Sequence, residues 1–143
     1  MNVAICSDKT SKNLRQVLKV YITALGHKVK DYSDDESLEG YLKQIVTASK
    51  DAVEKKVDRV VFIDSVGGKS FTISSKVKGM VTACITDEHS AKMTRNHNGA
   101  QAIAIGSNLV NENLAKSLVK IFIEKDFLAG RHMVRIDMLN KMC

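Results

Sequence analysis

The sequence predicts an α/β domain in which a mostly parallel, five-stranded sheet carries helices on both faces. Three observations predict it. Short apolar runs alternate with amphipathic stretches of helical period along the chain. The run Arg59–Ile63 (RVVFI) is apolar without a break after its first residue, the pattern of a strand buried on both faces. No linker, internal repeat or low-complexity segment interrupts the 143 residues, a length that suits one domain spanning 1–143.

The elements follow in order. Asn2–Ser7 (NVAICS) is the first strand, and Thr10 or Ser11 is placed to cap the helix after it. That helix carries Leu14, Val17, Leu18, Tyr21, Ile22 and Leu25 at the spacing of one buried face, and Gly26 offers a left-handed stop. His27–Tyr32 is the second strand. The acidic group Asp31, Asp34, Asp35 and Glu36 leads into a helix lined by Leu38, Tyr41, Leu42, Ile45, Val46, Ala52 and Val53. After Arg59–Ile63 comes the loop DSVGGKS and a short helix from about Phe71 to Val77. Met80–Ile85 and Ala102–Ile105 are the last two strands, with a helix over Asp87–His97 between them. A further helix begins near Asn111 with Leu114, Leu118, Ile121 and Phe122 inward, and Gly130 opens a basic tail.

Composition excludes several classes. Apolar residues make up 44%, which suits a globular domain able to bury a core without staples. No apolar run approaches the ~20 residues of a membrane span, and the amino terminus lacks a secretory pattern. Cys6, Cys84 and Cys143 lack metal-ligand spacing; Cys6 and Cys84 fall in strands, as buried inert thiols do, which implies a reducing, cytoplasmic compartment. The formal charge of +6 invites a nucleic-acid reading, but aromatic content is 5% and no dense basic stripe exists. Basic side chains that bind a phosphorylated metabolite raise the charge equally well.

Four places hold candidate chemistry. Thr94, Arg95, Asn96, His97 and Asn98 form an unbroken polar run between two strands, where an open α/β sheet is expected to place a ligand beyond its carboxyl ends. A solvated helix end is the plainer reading of the same run. Gly67-Gly68-Lys69-Ser70 looks like the end of a phosphate-binding loop, yet the glycine needed five residues earlier is Ile63, so nucleotide binding is not expected. Gly67 and Gly68 either turn backbone amides toward an anion or enolate or simply satisfy a tight turn. Asp8, after the first strand, is suited to a sugar hydroxyl or to a helix cap, and Lys9 to a phosphate or to water. Arg131 and Arg135 lie four apart in RHMVR and share a helix face, a fork suited to a phosphate dianion or a solvated basic tail.

Together, the Asp-Lys pair after the first strand, the glycine loop after the third, the T-R-x-H-N segment and the G-R-H-x-x-R tail resemble the ribose-5-phosphate isomerase B family of sugar-phosphate isomerases. The similarity is closer to its two-subunit galactose-6-phosphate branch, on the side of the A subunit. TDEHSAKMTRNHN, SKVKGM and RIDMLNKMC carry it. The resemblance implies a Rossmann-like three-layer sandwich and an aldose–ketose isomerase interconverting galactose 6-phosphate and tagatose 6-phosphate. His97 would open the sugar ring, and a base would move a proton between C1 and C2 through an enediol(ate). Amides of the glycine loop would steady the oxyanion, with Asp8, Lys9, Arg95 and Asn98 as further substrate contacts. Arg131 and Arg135 would hold the phosphate. The site would lie between two chains, the tail from about residue 130 reaching the partner, and neither metal nor redox cofactor is implied.

The departures matter as much. The family's usual base is a cysteine where this chain has Asp64, or a glutamate where it has Ser70. Lys69 stands for a loop glycine, and Asn108 for a further phosphate arginine. Asp64 could serve only if burial raised its pKa strongly. A division of labour follows, in which this chain lends His97, Arg131 and Arg135 to a site whose base comes from a B subunit. A homodimer of this chain alone would then be inactive. A stand-alone ribose- or allose-phosphate isomerase and a non-catalytic sugar-phosphate-binding protein are the alternatives.

Overall fold

The computed structural model describes residues 1–142; Cys143 lies outside the described residues. The elements are β1 (Asn2–Ser7), α1 (Lys12–Ala24) after a single 3-10 turn, β2 (Lys28–Asp31), α2 (Leu38–Val53) and β3 (Arg59–Asp64). They continue with α3 (Gly68–Ser74), β4 (Thr82–Cys84), α4 (Glu88–Asn98), β5 (Ala102–Gly106), α5 (Glu112–Glu124) and α6 (Arg131–Asn140). The strands form one sheet in the order β2-β1-β3-β5-β4, with every neighbouring pair parallel. This is the Rossmann-like three-layer sandwich.

The alternation of side chains along the strands makes the two cores. One face buries Val3, Ile5, Val61, Ile63, Ile103 and Ile105 against Leu18 and Ile22 of α1 and Leu118 and Phe122 of α5. The other buries Ala4, Cys6, Val60, Phe62 and Ala104 against Tyr41, Ile45 and Ala48 of α2. Short polar side chains set the helix starts. Ser37, Asp87 and Asn111 accept the amides of Gly40, Ser90 and Leu114 at 3.0, 2.8 and 2.9 Å.

Several expectations need correction. Ser11 holds the N-cap position of α1 but makes no side-chain bond there. The side-chain cap comes one turn earlier, where Asp8 caps the 3-10 turn and accepts the Ser11 amide at 3.0 Å. Strand β4 is three residues long, not six. Leu38 points to solvent at 63% exposure, one turn ahead of the buried face. Helix α3 begins at Gly68, three residues before Phe71, because Asp64 caps it from the end of β3. Cys6 is buried, and burial pushes its thiol up to about 12. Cys84 is exposed instead, since β4 is the edge strand and leaves it uncovered. No helix among the described residues is long and apolar enough to cross a membrane.

A candidate active site split between the two edges of the sheet

The chain leaves β1 toward β2 on one side and returns to β3 on the other. The carboxyl ends of β1 and β3 therefore flank the switch point where such sheets take ligands. Asp8 and Asp64 sit there. One oxygen of Asp8 accepts the Thr10 hydroxyl at 2.8 Å and the Ser11 amide at 3.0 Å. The other faces the Lys69 ammonium at 3.5 Å, which also lies 5.6 Å from the centre of the Tyr41 ring. Ser11 and Ser107 join hydroxyls at 2.9 Å across the same edge. Lys9 is exposed.

Asp64 is fully buried. Its Oδ1 accepts the Gly67 amide at 2.7 Å and the Val66 amide at 3.2 Å. Its Oδ2 accepts the Ser70 amide at 2.9 Å and hydroxyl at 2.7 Å, with the Tyr41 hydroxyl at 3.4 Å. Gly67 makes this wrap possible with φ +78; a Cβ there would stand 2.8 Å from Cys84 Sγ and 3.2 Å from the Ala104 carbonyl. Gly68 has room for a Cβ and no such constraint. Three of the loop amides, those of Val66, Gly67 and Ser70, are thus bonded to this chain's own carboxylate. Asp64, the position considered for the base, is buried with both carboxylate oxygens accepting hydrogen bonds from its own chain.

The T-R-x-H-N segment lies elsewhere. Helix α4 starts after β4 and runs back against the strands, so its last turn meets the start of β5. Arg95, His97 and Asn98 are therefore at the amino edge of the sheet, not beyond its carboxyl ends. Helix α6 brings the tail to the same edge. The His97 and His132 rings stack with centroids 4.2 Å apart and planes 13° from parallel. Arg135 Nη2 donates to the His97 carbonyl at 3.1 Å and to Asn98 Oδ1 at 2.8 Å, setting a cation at the negative end of α4. Arg131 is exposed one turn earlier on α6. Partial burial, then His97 and the two arginines, hold the His132 imidazole below its ordinary range.

Arg95 is not part of that group. Its Nε donates to the Lys125 carbonyl at 3.3 Å and its Nη1 to the Ala100 carbonyl at 3.0 Å. Burial, with Arg59 beside it, lowers its pKa to about 10. Its guanidinium, expected at the substrate, points in this structure to the protein's own backbone. His132, which follows Arg131 in the tail motif, was given no role by the sequence reading and is what His97 stacks on. Arg15, only 4% exposed inside an apolar stripe, donates to the Ser7 hydroxyl at 3.2 Å and faces Asp31 at 3.6 Å.

A six-residue strand such as β3 is roughly 20 Å long, so one hexose phosphate cannot touch both polar groups of a single chain. The open groove of about 430 Å³ between α2 and α3, lined by Val46, Lys50, Ile73 and Lys76, touches neither group. Among the described residues, no cluster of three His, Cys, Asp or Glu is placed to hold a metal ion.

A parallel sandwich with a glycine loop at its switch point and a histidine–arginine group opposite is an α/β domain of the ligand-binding kind. Residues 3–139 match the model of the ribose/galactose isomerase family, and the chain belongs to that family. Membership places it among the aldose–ketose isomerases. It is 38% identical to the galactose-6-phosphate isomerase subunit LacA of Streptococcus mutans, over the whole of both chains. The subunit LacA of Staphylococcus aureus strain JH9 is 37% identical, again over the whole of both. Among solved structures, ribose-5-phosphate isomerase B of Clostridium thermocellum superposes with a TM-score of 0.93 at 25% identity, covering 99% of this chain and 97% of the other.

Proposed function

We propose that this chain is the A-type subunit of a cytoplasmic galactose-6-phosphate isomerase, contributing ring opening and phosphate binding to a site whose base a B-type subunit supplies. One observation carries the reading: the two polar groups lie at opposite edges of the sheet, and the carboxyl-edge loop is filled by Asp64. A second chain must bring its own carboxyl edge to His97, Arg131 and Arg135. Identity of 37–38% over full length to subunits named for galactose 6-phosphate supports the substrate. Two free thiols among the described residues, Cys6 and Cys84, fit a reducing compartment.

The chemistry follows from the amino-edge group. Arg131 and Arg135, one helical turn apart on α6, grip the phosphate of a hexose 6-phosphate. His97 exchanges a proton with the ring oxygen and the C1 hydroxyl, so that the hemiacetal C–O bond breaks and the aldehyde forms. The partner's base takes the proton from C2, the electron pair forms the C1–C2 double bond and O1 takes the charge of the enediolate; the C2 hydroxyl proton passes to O1, and the proton returned to C1 leaves the carbonyl at C2 of the ketose. No electrons leave the substrate, so a placed base and oxyanion donors suffice.

The test is isomerisation of galactose 6-phosphate to tagatose 6-phosphate by the purified chain, alone and then with a cysteine-bearing B subunit. Turnover in the mixture only is expected. Turnover by this chain alone would mean that it carries its own base. Saturable binding without turnover in either case would make it a sugar-phosphate-binding protein.

A further inference from the structure

The connection from α5 to α6 is pinned at every step. Lys125 ends α5, and its carbonyl accepts from Arg95 Nε at 3.3 Å and from Arg59 Nη2 at 3.5 Å. The next contacts are the Phe127 ring over Gly99, where even a Cβ would come within 3.3 Å, and the Leu128 amide on the Asn96 carbonyl at 3.0 Å. The chain then turns sharply, with Ala129 and Gly130 both at positive φ, 50° and 53°. For alanine that conformation is strained and persists only where its surroundings enforce it.

The two guanidiniums converge on one carbonyl, and burial lowers the pKa of both, with Arg59 depressing Arg95 further. The carboxylate of Asp126 beside both, and that of Asp58 beside Arg59, partly offset the repulsion. The carbonyl end of α5 favours cations, and Arg95 also takes the Ala100 carbonyl just before β5. It therefore ties together the end of α4, the entry to β5 and the exit of α5.

We propose that Arg95, seconded by Arg59, is a positioning residue that fixes the α5–α6 connection and so holds Arg131, His132 and Arg135 against His97. It does not touch the sugar. The kinetic half of this claim rests on the reading given under Proposed function; the structural half does not.

Two measurements on Arg95→Ala and Arg95→Lys test it. The first is amide hydrogen exchange of the isolated chain. Residues 125–140 should exchange about tenfold faster in Arg95→Ala, the effect of losing one charge-assisted bond, while β3 and β5 stay as they were. Arg95→Lys keeps the charge but not the fork, and should fall between. The second is kinetics of the mixed enzyme on galactose 6-phosphate. KM should rise about tenfold with kcat within about threefold, and added guanidinium should restore KM. Native exchange over 125–140 in both variants would overturn the proposal. So would loss of kcat with KM and exchange unchanged, which would place Arg95 on the substrate. An inactive wild-type mixture would sink the isomerase reading instead, and the exchange result would still decide the role of Arg95.

Discussion

The two edges of the sheet hold different polar side chains, carboxylates and hydroxyls at one and imidazoles and guanidiniums at the other. At the carboxyl edge, Asp64 binds the loop beside it, and Asp8 shares itself between a helix start and Lys69. Polar groups there are turned upon one another. At the amino edge, Arg131 is exposed, and His97 is held by its neighbours without being buried. The difference teaches where to look for chemistry in this fold. A glycine loop at a switch point can spend several of its amides on a local carboxylate, while a helix's last turn gathers polar groups when a second helix meets it.

The largest effect should come from the amino edge. His97→Ala in the mixed complex is expected to lower turnover of the ring-closed sugar by about 10²–10⁴, the range for a proton-transferring side chain. Pre-opened substrate would be affected less. Unchanged turnover would remove His97 from the mechanism and end the contrast between the edges.

The carboxyl edge should answer in stability. Asp64→Ala leaves the amides of Gly67 and Ser70 and the Ser70 hydroxyl buried without their acceptor. A cost of roughly 3 kcal/mol is expected, seen as a fall in melting temperature of about 10 °C. Turnover of the mixed complex, measured well below melting, should stay within about threefold. Abolished turnover in a folded variant would restore Asp64 as the base.

The smallest effect is a pH dependence that sharpens the amino edge. The folded pKa of His132 lies below the ordinary 6.5, held there by partial burial and by His97, Arg131 and Arg135. Protons therefore bind the released ring more strongly. Above 6.5 both forms are neutral and nothing is lost. As pH falls through 6.5, protonation favours release of α6, so amide exchange over residues 131–140 should quicken between about pH 7 and pH 5. His132→Gln should weaken that response; an identical response in the variant would assign it to other histidines.

Much of this was legible in the sequence, and the failures have physical causes. Five strands and their helices follow from alternating periods, because burial on both faces leaves a strong signal. The start of α3 does not, since Gly67 and Gly68 read as a turn until a carboxylate four residues before Gly68 is seen to cap it. The edge on which His97 lies was readable from direction alone. A helix leaving a parallel strand must return to the amino edge, and a polar run in its last turn goes with it. The roles of Arg95 and Arg15 were not readable, because each guanidinium meets partners brought close only by folding.

The strand order also sets a timetable for synthesis. Strands β1, β2 and β3 lie side by side, so the half-sheet bearing Asp8 and Asp64 is complete once residue 64 has left the ribosome. Strand β4 has no such chance, for its neighbour in the sheet is β5, made later. Helix α6 emerges last of all the elements. The nascent chain thus has the three strands of its carboxyl edge early, and its amino-edge group takes shape only when the final helix is released.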